Sequence, residues 1–150
     1  MATLATACIA GGGPSVCGSR TRPPDAHGRQ LGELRTDPVF TGAPAGIRYV
    51  QVTSRPAQWR QGVDSAAWSG AHVSAAFTTS LPRPALDRLF DRFVEQAGWR
   101  VDHGNRPPDS RQWTKTLPGG GRVVLDLWPD PATELSGHFS LAGNVDVPCT

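Results

Sequence analysis

Lysine is almost missing from this chain. Of its 15 basic residues only Lys115 is a lysine; the others are arginine. Isoleucine occurs only at positions 9 and 47, and asparagine only at 105 and 144. Residues with GC-rich codons (Arg, Ala, Gly, Pro) take their places. The bias therefore reads as a high-GC genome, not as selection for arginine forks that clamp phosphate or carboxylate. The net charge is only +2, and no basic run is interleaved with aromatic residues, which argues against a nucleic-acid partner. Apolar runs are short, far below the roughly 18 consecutive residues of a spanning helix. The three cysteines, Cys8, Cys17 and Cys149, form no C-x-x-C pair, so a zinc cage is not expected. Reaction signatures are missing too. There is no G-x-S-x-G, no P-loop and no dinucleotide fingerprint, so no cofactor is expected. The two glycine runs, Gly11 to Gly13 and Gly119 to Gly121, fall in the N-terminal tail and at a hairpin tip.

What is present is one strongly periodic stretch, Pro84 to Arg100. Leu86, Leu89, Phe90, Phe93, Val94 and Ala97 make the i, i+3, i+4, i+7 stripe of a helix with one buried face. Pro82 and Pro84 suit its first turn, with Ser80 or Arg83 as cap, and Gly98 suits its end. Its polar face offers Arg83 with Asp87, Arg88 with Asp91 and Arg92 with Glu95 as solvated pairs.

Around this helix the chain reads as strands. Ile47 to Ser54 and Ala71 to Ser80 are rich in β-formers, and the second alternates cleanly, with Val73, Ala75 and Phe77 on one side. Between them Arg55 to Gly70 reads as a long connection, tied down by Trp59, Val63 and Trp68. Arg111 to Leu117 and Arg122 to Trp128 form a hairpin closed by Pro118 to Gly121, and Gly137 to Ala142 adds a last strand. The order ββαββββ predicts an α+β two-layer sandwich, one amphipathic helix packed on a mainly antiparallel sheet. We expect residues 1–38 as a flexible arm, 39–143 as the domain and 144–150 as a loose tail. Within the arm a short helical turn from Gln30 to Arg35 presents Leu31 and Leu34, and Asp37-Pro38 ends it.

The N-terminus, MATLATACIAGGG, is small and apolar but lacks a basic start, and its apolar run is short for a signal segment. Two readings stand. One is a truncated export or lipoprotein-like anchor, which places the protein in the cell envelope. The other is a cytoplasmic tail. In an oxidising compartment a Cys17–Cys149 disulfide would join the termini; otherwise these are unpaired thiols.

Candidate binding residues lie on the sheet face turned away from the helix. His72, Ser74, Thr78, Thr114, Thr116, Asp126 and Trp128 are polar or aromatic groups that make a shallow recognition surface for a peptide, a glycan or a partner domain. His138 shares the parity of His72. With Asp126 the two histidines form a conceivable metal set, although no spacing in the sequence enforces it. Asp102-His103 is a conceivable general base. Trp59 and Trp68 serve either as buried anchors or as exposed contacts.

The helix ending in AGWR, the following W-x-K-x-L strand, the glycine turn and VVLDL resemble small uncharacterised envelope-associated proteins of high-GC actinobacteria. The upstream LGELRTDPVF is similar to the region after their membrane or lipoprotein anchor. The resemblance spans about Leu31 to Leu141 and implies envelope localisation through an N-terminal anchor, with no implied activity. The expected function is a non-enzymatic binding module of the envelope; the alternative is a small metal-dependent or hydrolase-like enzyme using the histidines of the open face.

Overall fold

The computed structural model describes residues 15–17, 27–104, 110–129 and 137–147. Its elements, in chain order, are β1 (Ser15–Cys17), α1 (His27–Arg35), α2 (Pro38–Thr41), β2 (Tyr49–Arg55), β3 (Gln58–Gln61), β4 (Ser65–Ser69) and β5 (His72–Thr78). There follow α3 (Arg83–Gln96), β6 (Arg100–Val101), β7 (Arg111–Thr116), β8 (Arg122–Pro129) and β9 (His138–Val145). Six strands make the main sheet in the order β2-β5-β9-β8-β7-β6, antiparallel throughout. The chain leaves β5, crosses as α3 to the far edge, and returns as the meander β6 to β9 until β9 lies beside β5. The α+β two-layer sandwich is what the structure has, with α1 and α2 joining α3 on one face.

The period of α3 explains its packing. Leu86, Phe90 and Val94, four residues apart, are fully buried, while Leu89, Phe93 and Ala97 flank them and are partly covered. Beneath them β5 supplies Val73, Ala75 and Phe77, β9 supplies Leu141 and Val145, and β8 supplies Val123, Leu125 and Leu127. Phe90 stacks on Phe77 at 5.3 Å, and Phe77 stacks on Phe139 at 5.9 Å. The N-cap position of α3 is Pro82, with no side-chain capping bond, where Ser80 or Arg83 was expected. After Ala97 the chain turns at Gly98, φ +88°, a left-handed conformation that a side chain would strain.

The stretch expected as a long connection is instead an extension of a hairpin. Arg55 pairs with His72 in the main sheet, and Gln58 pairs with Ser69 in a smaller sheet of order β1-β4-β3. The register is the same on both sides of the gap. From Gln51 opposite Ala76 to Gln61 opposite Ala66 this is one ribbon, closed where Gly62 N–H donates to the Ser65 carbonyl at 2.7 Å. The ladder breaks at residues 56 and 57, where Pro56 has no N–H to give. Opposite lies Gly70, where a Cβ would overlap the Val145 carbonyl of β9, so only glycine lets the ribbon pass this close. β1 pairs in parallel with β4.

The boundaries expected at 38 and 143 fall inside the packed region. Leu34 of α1 is fully buried, and Val39 and Phe40 follow it into the core. At the other end β9 runs on to Val145, which pairs with Val123 and is 3% exposed.

Two carboxylates fasten the helical layer to the sheet. Asp37 caps α2 by accepting from the Val39 N–H at 3.1 Å. The same Oδ1 accepts from the Trp99 indole at 3.2 Å, and Oδ2 accepts from Lys115 Nζ at 2.7 Å. Lys115 also donates to the Ala97 carbonyl at the end of α3, at 2.6 Å, and lies over the Trp99 ring. Higher on α3, Asp91 accepts Arg111 Nε at 3.1 Å and Nη2 at 2.6 Å, and the Trp113 indole at 2.9 Å. This bond raises the Arg111 guanidinium above its ordinary pKa. Asp91 therefore bonds to β7, where a surface pair with Arg88 was expected; Arg83 with Asp87, at 2.8 Å, matches expectation.

Phe90→Ala should cost about 3–5 kcal/mol in urea unfolding, because its ring is wholly enclosed. Phe93→Ala should cost clearly less. Equal losses would contradict the orientation of α3.

Candidate functional site

Alternation along the strands sends every second side chain to the face away from the helices, where most residues of the central strands are half-buried. The registers arrange it in rows. One row runs Arg55, His72, Asn144, Val124, Thr114, Arg100. The next runs Thr53, Ser74, Ala142, Asp126, Gln112, and a third runs Gln51, Ala76, Ser140, Trp128. Thr78 and His138 pair beyond the third row. The middle of the face is thus floored by alanine and serine, with an aromatic ring and a carboxyl at one side.

Two polar pairs on this face satisfy one another. His72 Nδ1 meets Asn144 Oδ1 at 2.7 Å, and the Ser74 and Ser140 hydroxyls share a hydrogen bond of 2.9 Å. Two buried atoms of the face have no hydrogen-bond partner, Arg55 Nε and Asp126 Oδ1. Asp126 is 9% exposed, and Gln112 across the ladder bonds its carboxyl through the other oxygen. Burial pushes its pKa up; the Gln112 hydrogen bond opposes this, and the nearby Asp102 charge adds to it. Asp102 itself accepts from the Gly104 N–H and faces Arg122 at 3.4 Å.

The sequence-predicted residues do not all meet. Asp126 and Trp128 are two apart on the same face of β8. His72 and His138 share this face, but His138 pairs with Thr78, six residues along β5 from His72. At ~3.3 Å per residue they stand about 20 Å apart, too far to bind one ion with Asp126. Among the described residues no group of three His, Cys, Asp or Glu side chains is placed to hold a metal. Trp59 and Trp68 lie outside this surface, in the distal part of the ribbon, paired across it edge to face at 5.9 Å. Trp68 also meets the His27 ring at 5.3 Å, and burial lowers the His27 pKa. The two tryptophans are partly buried and tie the ribbon to α1. His103 is exposed, beside Asp102. Of the expected disulfide, Cys149 lies outside the described residues and Cys17 is described only as backbone in β1.

Several members of the face were not found from sequence. Among them, Gln112 and Asn144 become neighbours of Asp126 and His72 only through strand order. Asn144 lay in the stretch expected as a loose tail. Comparison with protein-family models, curated proteins and solved structures finds no match.

The raised pKa of Asp126 has a sign that can be tested. The folded state holds the proton more tightly than the unfolded chain, so stability falls as pH climbs from the ordinary value of 3.8 through the raised folded value. Asp126→Asn removes this loss. In thermal melts across pH 3 to 8 the variant should be at least as stable as the wild type at neutral pH, and its advantage should vanish towards pH 3. A variant less stable at pH 7 than at pH 3, relative to wild type, would contradict the assignment.

Proposed function

We propose that the chain is a non-enzymatic binding module of the cell envelope, with the open face of the six-stranded sheet as its recognition surface. The observation that carries this reading is the Asp126 oxygen, shielded yet unpartnered, on a face where His72 bonds Asn144 and Ser74 bonds Ser140. A buried acceptor left without a donor costs about 1–3 kcal/mol, and a ligand that supplies the donor recovers it. The alanine and serine floor leaves room for a peptide, a sugar chain or a partner domain to lie against the sheet. The envelope address rests on the small, apolar N-terminus and on the resemblance to actinobacterial envelope proteins. Among the described residues no helix is long and apolar enough to cross a membrane, so attachment would come through the N-terminal segment.

The experiment is cosedimentation of the purified chain with isolated cell-envelope material from its source. The wild type should pellet, and the double variant Ser74→Arg/Ala142→Arg, which fills the floor, should lose at least about tenfold in affinity. Val63→Arg, at the exposed tip of the ribbon, should pellet like the wild type. A wild type that stays in solution, or an open-face variant that pellets equally, overturns the proposal.

A further inference from the structure

We infer that Asp126 and Trp128 form a subsite for an alkylammonium group, the chemistry of a lysine side chain on a partner peptide. The inference deepens the binding-surface reading and rests on it. The neighbours of Asp126 leave its Oδ1 unsatisfied. Across β9 stands Ala142, which has nothing to donate. The Ser74 and Ser140 hydroxyls are joined to each other, and Gln112 is engaged through the other carboxylate oxygen. No described residue donates to Oδ1.

Three features select the ligand. Trp128, two residues along the same face and partly exposed, offers an aromatic surface about 7 Å away along the strand, and aromatic faces attract cations. The carboxylate itself favours a cation over a neutral hydroxyl or amide, because a charge-assisted hydrogen bond is stronger than a neutral one. The carboxyl is only 9% exposed, so a slender alkylammonium stem suits it better than a broad pyranose ring. The partner is not the lysine of a second copy of this chain, because Lys115, its one lysine, is bound to Asp37.

The test is nitrogen-15 NMR of the full chain with Nα-acetyl-lysine methylamide, its uncharged norleucine counterpart and glucosamine. The lysine probe should shift the Trp128 indole and Gln112 side-chain signals saturably, and the norleucine probe should not. Asp126→Asn, which keeps shape and removes charge, should weaken binding about tenfold, and Trp128→Leu should weaken it as well. Equal shifts from norleucine, tighter binding of glucosamine, or indifference to Asp126→Asn each overturn the subsite. Shifts at His72 or Ser74 that survive Asp126→Asn overturn it while leaving the open face as a binding surface. No shift from any probe also overturns it, and the envelope cosedimentation then decides the face.

Discussion

The ion pair between Asp37 and Lys115 is the contact on which the layer arrangement depends. Asp37 is 5% exposed and binds four things at once: the start of α2, the Trp99 indole that follows α3, Lys115 of β7 and, through Lys115, the last turn of α3. A buried charge without its partner is costly, so the segments must come together for any of them to be stable. Asp91 repeats the device one level along the same strand, with Arg111 and the Trp113 indole. Strand β7 thus turns Arg111, Trp113 and Lys115 to the helices in succession, where a core strand would ordinarily place aliphatic residues. Fixed polar geometry at these points sets where each helix lies, which apolar packing alone does not specify.

The consequence appears on the other side of the sheet. The Arg111 and Lys115 side chains of β7 are committed to the helical layer. On the opposite face His72 bonds Asn144 and Ser74 bonds Ser140, while Arg55 Nε and Asp126 Oδ1 have no partner. Burial, with the nearby Asp102 charge, raises the Asp126 pKa and so disfavours its ionised form. Proteins keep such local losses at sites that act on something else.

Much of the fold was legible in the sequence. The stripe of α3 was readable because helix period and burial coincide over four turns, and the late hairpin because its strands alternate around a glycine turn. The ribbon from Gln51 to Ala76 was not, because Pro56 and Gly70 look like the ends of strands when they only interrupt a ladder whose register continues. α1 was read as one short turn of an arm, since its one buried apolar residue, Leu34, makes sense only against a sheet that the sequence does not display. The lone lysine was explained by codon usage. That explanation accounts for the many arginines but passes over why one lysine remains, at a place where a compact ammonium reaches both a carboxylate and a helix-end carbonyl. Asp126 and Trp128 were visible from alternation alone, whereas Gln112 and Asn144 required strand order.

A double-mutant cycle on Asp37 and Lys115 tests the account most directly. Asp37→Asn keeps the helix cap, and Lys115→Met keeps most of the side-chain volume, so the charge pair is what changes. Each single variant should lose about 3–5 kcal/mol in denaturant unfolding, and the double variant should recover about 2 kcal/mol or more of their sum. Losses that add to within ~0.5 kcal/mol would show that the two groups do not act together, and the arrangement of the layers would need another cause.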